Sequence, residues 1–129
     1  MKKVVKFGGS SLASAEQFKK VGNIIRKEES RRYVIPSAPG KRTPDDTKVT
    51  DMLYSCYGQA ILGEDAEKDF GEQLEAIKER YNSIIRGLNL DLSLDEEFKT
   101  IRTNFSKKIG RDYAASRGEY LNGIIMAAY

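Results

Sequence analysis

The sequence predicts an α/β protein with a small, mainly parallel sheet and a helical lobe. Three observations carry that expectation. A strand–helix–strand pattern fills residues 3–36, a glycine-rich turn follows the first strand, and amphipathic helical periodicity runs from Gly63 onward.

Lys3–Phe7 reads as the first strand. Ser14-Ala15-Glu16-Gln17 has the form of a capping box, and the helix it opens carries Phe18, Val21, Ile24 and Ile25 on one side and is expected to reach Ser30. Arg32–Pro36 is the second strand, ended by a proline that removes a ladder donor. Strands separated by a single helix should pair in parallel through a right-handed crossover. Ser37–Pro44 is a loop of turn formers and basic residues at the C-terminal end of that strand, where open α/β sheets collect ligands. Asp45 to Thr47 can cap a helix through Val49, Leu53, Tyr54, Tyr57 and Ile61. Phe70, Leu74, Ile77, Tyr81, Ile84 and Ile85 mark the next helix, closed near Gly87. Leu94, Phe98, Ile101, Phe105 and Ile109 mark another, capped by Ser93 or Asp91 and stopped by Gly110. The last spans Tyr113 to Tyr129, with Leu121, Ile124, Ile125 and Ala128 as its buried face. Two apolar parallel strands need neighbours, and the chain stops mid-helix. Both features lead us to expect the first part of a larger α/β domain.

Composition narrows the chemistry. Hydrophobic residues at 40% and charged residues at 32% describe an ordinary globular chain. A net charge of +3 with interspersed signs argues against a nucleic-acid surface, and no apolar run is long enough for a membrane span or a signal peptide. The single cysteine, Cys56, points to a small core residue and a reducing, cytoplasmic setting. With no histidine, imidazole acid–base catalysis and Cys/His zinc sites are excluded. Phosphoryl transfer remains open, because it needs positioning and charge neutralisation more than proton shuttling.

Lys6-Phe7-Gly8-Gly9-Ser10-Ser11 fits that chemistry. Glycines let main-chain N–H groups converge on an anion, the following helix should aim its positive end at the same space, and Lys6 adds a full charge. Neither common nucleotide fingerprint is present: before Gly40-Lys41 the required glycine is Ile35, Arg42 replaces the hydroxyl residue, and no G-x-G-x-x-G occurs. Lys41, Arg42 and Arg117 are expected to be solvated, and Tyr54, Tyr57, Tyr81 and Tyr113 to serve packing.

The segments VVKFGGSSLA, VIPSAPGK followed by VTDML, and SRGEYLNGIIMAAY, taken in order, resemble the N-terminal part of aspartate kinases, members of the amino-acid kinase superfamily with a carbamate kinase-like fold. The resemblance covers residues 1–129 and implies a partial catalytic domain. It implies ATP-dependent phosphorylation of the L-aspartate side-chain carboxylate, the opening step toward lysine, threonine and methionine, with Mg²⁺ and a homo-oligomeric enzyme. Carried over by position, Lys6 neutralises the transferring phosphate, and Lys6, Gly8, Gly9 and Ser10 bind the nucleotide phosphates. Ser37, Thr50 and Glu119 line the aspartate pocket, with Glu119 meeting the α-ammonium; no residue here is expected as a metal ligand. The family's later glycine-rich segment, its adenine-binding strands and its regulatory ACT domains have no counterpart, so the fragment alone is expected to be inactive. Two alternatives stay open at this level: a kinase of another small acid such as glutamate or carbamate, and a non-catalytic helical module that dimerises or docks.

Overall fold

The computed structural model describes residues 1–63 and 67–129, the side chain of Glu67 apart. The strands β1 (Lys3–Phe7) and β2 (Arg31–Pro36) pair in parallel as a two-stranded sheet, with Val5 opposite Val34 and Lys6 opposite Ile35. Helix α1 (Ala15–Arg26) joins them, which completes the expected βαβ unit. Ser14 Oγ accepts the Gln17 amide at 3.4 Å, satisfying one of the free donors of the first turn.

Helix α1 stops at Arg26 instead of reaching Ser30. The residues beyond it are recruited to start the sheet: the Lys3 amide donates to the Ser30 carbonyl, and Glu28 accepts from Ser30 Oγ at 2.7 Å and pairs with Lys3. Between the glycine turn and α1 lies a short 3-10 helix, Gly9–Leu12, and α1 begins behind Ser14 as the capping box implies.

Four further helices form the lobe: α2 (Val49–Ala60), α3 (Glu67–Gly87), α4 (Asp95–Ser106) and α5 (Arg111–Ala128). None of the three residues expected to cap α2 does so. Lys48 holds the N-cap position with no side-chain bond, and the Val49 amide donates to the Pro39 carbonyl at 3.0 Å. Asp46 is diverted into an ion-pair network with Arg42 and Arg80. Ile61 falls just beyond α2 and is exposed. At α4, Leu94 occupies the N-cap and is buried, while Ser93 Oγ accepts the Asp95 amide at 3.2 Å. Ile109 is exposed, because Lys108 at φ 57° and Gly110 at φ 136° turn the chain toward α5. Helix α5 begins at Arg111, two residues before the expected Tyr113, and Ala128 faces outward. Its buried face is Ala114, Gly118, Leu121, Asn122 and Ile125.

The core lies within the lobe. Phe18, Leu53, Ile77, Tyr81, Ile84, Ile101, Phe105, Leu121 and Ile125 are all fully buried, and Phe105 meets Tyr57 edge-on at 5.3 Å between ring centroids. Cys56 is buried there as expected, and burial pushes its thiol up to about 12. Among the described residues the sheet is covered on one face only. Val5 and Phe7 are half-buried toward the lobe, whereas Val4, Lys6, Tyr33 and Ile35 alternate onto the open face. Among the described residues no helix is long and apolar enough to cross a membrane.

Candidate functional site

Three segments distant in sequence meet at the C-terminal end of the sheet. The first is the turn Gly8–Ser10 after β1. The second is the Ser37–Gly40 loop after β2, which the parallel register carries to the same edge. The Ser37 amide donates to the Phe7 carbonyl at 3.1 Å, extending the strand pairing by one bond, and the Gly40 amide donates to the Gly9 carbonyl at 2.8 Å. This seam leaves no room for a side chain at Gly40 and little at Gly9. A Cβ at Gly40 would stand 2.6 Å from the Gly9 carbonyl carbon and 2.8 Å from the Ser10 nitrogen; one at Gly9 would stand 3.0 Å from the Ala38 carbonyl oxygen.

The third segment is the Gly118–Asn122 turn of α5. Gly118 lies against the loop so closely that a Cβ would come within 2.6 Å of Ala38 Cβ and 3.3 Å of Leu53 Cδ1 on α2. The Tyr81 hydroxyl on α3 donates to the Gly118 carbonyl at 2.8 Å, and burial raises its pKa far above the ordinary phenol value. Asn122 Nδ2 donates to the Ser37 carbonyl at 2.8 Å. Its Oδ1 is one of two buried side-chain polar atoms without a hydrogen-bond partner among the described residues, the other being Arg80 Nε.

Behind the loop sits Arg80, on the buried stripe of α3. Its Nη1 donates to the Thr47 carbonyl at 2.7 Å, its Nη2 donates to the Gly40 carbonyl, and Asp46 Oδ2 lies 3.4 Å away. Asp46 also accepts from Arg42 Nε at 2.7 Å and from the Arg42 amide at 2.9 Å. The hydrogen bond from Arg42, with Arg80 beside it, holds the Asp46 carboxyl well below the usual carboxylate range. Burial, and then the charge of Arg42, lower the Arg80 pKa, and Asp46 opposes that shift.

Of the residues implicated by the sequence, Gly8, Gly9, Ser10 and Ser37 are brought together directly by the seam. Glu119 is exposed on α5, between the Gly118 contact and the Asn122 bond that holds Ser37. Thr50 is half-buried in the first turn of α2, behind Pro39. Lys6 stands apart from this cluster, exposed on the open sheet face opposite Ile35, with no ion pair among the described residues. Arg42 is exposed as expected and pairs with Asp46, and Arg117 lies over the rings of Tyr113 and Tyr120 at 4.7 and 4.5 Å.

Sequence reasoning missed Gly40, Arg80 and Asn122. The last two left a signal. Arg80 falls between Ile77 and Ile84, and Asn122 between Leu121 and Ile125, each a polar residue within an apolar helical stripe. Among the described residues no group of three or more acidic, Cys or His side chains gathers to hold a metal ion.

Comparison with known proteins bears on the family and the fold. The model of the amino acid kinase family matches residues 1–129. The chain is 45% identical to aspartokinase 3 of Bacillus subtilis over 97 residues, which is 75% of this chain and 20% of that protein. It superposes on the crystal structure of Clostridium acetobutylicum aspartate kinase with a TM-score of 0.89 and 46% identity, over 100% of this chain and 29% of that one. Escherichia coli aspartokinase III, solved in complex with aspartate and ADP, shares the fold at a TM-score of 0.73 and 21% identity, over 99% of this chain and 28% of that one. The chain thus spans between a fifth and a third of the length of these proteins.

Proposed function

Because the chain belongs to the amino acid kinase family over its whole length, we propose that it forms the N-terminal part of an aspartate kinase catalytic domain. It would supply much of the phosphate cradle and of the acceptor pocket. The observation that carries this reading is the convergence of the Gly8–Ser10 turn, the Ser37–Gly40 loop and the Gly118–Asn122 turn at one end of the sheet. The aspartate and ADP bound by the Escherichia coli relative support the choice of substrates.

In this reading the aspartate side-chain carboxylate attacks the γ-phosphorus of ATP in line, the bond to the β,γ-bridging oxygen breaks, and ADP leaves. A carboxylate nucleophile carries no proton to be removed, which suits a chain without histidine. The Gly8–Ser10 amides and Lys6 stabilise charge on the transferring oxygens, and Lys6 reaches them from the open face of the sheet. Ser37 and Thr50 line the acceptor pocket, and Glu119 pairs with the substrate α-ammonium. Among the described residues no three acidic, Cys or His side chains gather to hold a metal ion, so a magnesium ion would be held mainly by the nucleotide phosphates and water, where it would neutralise phosphate charge. The chain by itself is inactive in this reading, since it covers only part of such an enzyme.

The test is Lys6→Ala in the full-length protein, followed by aspartate-dependent ADP release. Loss of one oxyanion-stabilising group should lower kcat by about a hundredfold or more. Turnover close to wild type would remove Lys6 from the phosphate site.

A further inference from the structure

Among the described residues Arg80 is the one buried charged side chain, only 4% exposed, and it touches none of the groups assigned above to nucleotide or aspartate. The stripe it occupies on α3 is otherwise Ile77, Tyr81 and Ile84. An apolar side chain there would avoid the desolvation of a guanidinium, and one nitrogen, Nε, is buried without a partner. The charge is kept for what it grips, two carbonyls of a single loop. Nη2 holds Gly40 and Nη1 holds Thr47, while Asp46 supplies the counter-charge. Arginine serves the two carbonyls from two nitrogens held in a rigid planar fork, whereas lysine has a single nitrogen on a flexible stem.

Gly40 is also the residue that meets the phosphate turn. Its amide bonds the Gly9 carbonyl at 2.8 Å, and a single added carbon would collide with Gly9 and with the Ser10 nitrogen. Its carbonyl points back to Arg80. A shift of Arg80 therefore reaches Gly9 and Ser10 through one intervening residue. We propose that Arg80 is a positioning residue for phosphoryl transfer, setting through Gly40 the separation between the Gly8–Ser10 turn and the Ser37 loop. This rests on the functional reading above and adds what fixes the spacing of its two halves. A misplacement of about 1 Å between reacting groups is enough to cost roughly a hundredfold in rate.

The experiment compares Arg80→Lys with wild type in the full-length protein. One readout is hydrogen–deuterium exchange of peptides covering residues 6–12 and 36–44, against peptides covering 81–88 and 118–126. The other is ATP affinity by calorimetry. The lysine keeps the charge but loses the rigid two-nitrogen grip on the carbonyls, so the two loop peptides should exchange about tenfold faster while the helical peptides stay protected. The dissociation constant for ATP should rise about tenfold, equivalent to about 1.4 kcal/mol. An unchanged ATP affinity overturns the proposal, as does a parallel loss of protection in the helices, which would make Arg80 part of the scaffold only. Should the lysine variant not fold, Asp46→Asn keeps the guanidinium and removes its counter-charge; it should move both readouts the same way, by about threefold, and wild-type values for both would again overturn the proposal. Aspartate-dependent ADP release by wild type is measured alongside. Its absence would remove the aspartate reading, and the role of Arg80 would then be decided by exchange and ATP affinity alone.

Discussion

At Gly40 one carbon decides whether the seam closes. Gly40→Ala places a methyl 2.6 Å from the Gly9 carbonyl carbon, and the obstacles are backbone atoms that cannot rotate away. We expect a loss of about 1–3 kcal/mol, the usual range for overpacking, read from urea unfolding of the variant beside wild type. Asp46 sets a pH dependence in the same loop. Its folded pKa is depressed by Arg42, so its contribution is complete above the unfolded carboxylate value near 4 and is lost as pH falls toward the folded one. Thermal unfolding should therefore show a steeper loss of stability below about pH 4 in wild type than in Asp46→Asn; equal slopes would remove Asp46 from the acid response. These residues show where the sequence was legible. Gly8 and Gly9 declare themselves, since two adjacent glycines after a strand announce a turn. Gly40 reads as an ordinary loop glycine, because its reason is a backbone contact with a residue far back in the chain.

Among the helices, the two exits from α3 and α4 make a natural comparison. Asn89 follows α3 at φ 54° and Lys108 follows α4 at φ 57°. Asparagine adopts that left-handed conformation readily, whereas lysine adopts it at a cost of about 1–2 kcal/mol. Lys108→Gly should accordingly raise stability by up to about 1 kcal/mol, part of the gain being offset by the freer unfolded chain. A melting temperature no higher than wild type would show that Lys108 is not strained. Element types and the spacing of core residues were legible because they depend on local periodicity: Phe70, Leu74, Ile77, Tyr81, Ile84 and Ile85 all proved buried. The ends were less legible, because tertiary partners compete for the capping groups. Asp46 went to two arginines instead of α2, and Glu28–Ser30 went to the sheet instead of α1.

For the molecule as a whole, the governing fact is a sheet that, among the described residues, has two strands, both outer edges unpaired and one face open. Val4, Tyr33 and Ile35 are 64%, 54% and 49% exposed on that face. Unpaired edges beside an apolar face are a template for association. Residues 1–129 alone should therefore self-associate with rising concentration, and Ile35→Lys should reduce the effect. Light scattering that reports a clean monomer at high concentration would contradict this.

The Asn122–Ser37 bond also carries a consequence for timing. The Lys3–Phe7 and Arg31–Pro36 strands can meet once the residues through Pro36 have left the ribosome. The loop beyond them is gripped from 40 positions downstream by Arg80 and from 85 positions downstream by Asn122. Translation proceeds from the N-terminus, so the loop emerges from the ribosome long before either of its braces. A growing chain therefore passes through an interval in which Ser37 to Gly40 is made but unsecured. The helix that fastens it, α5, is made after the other four.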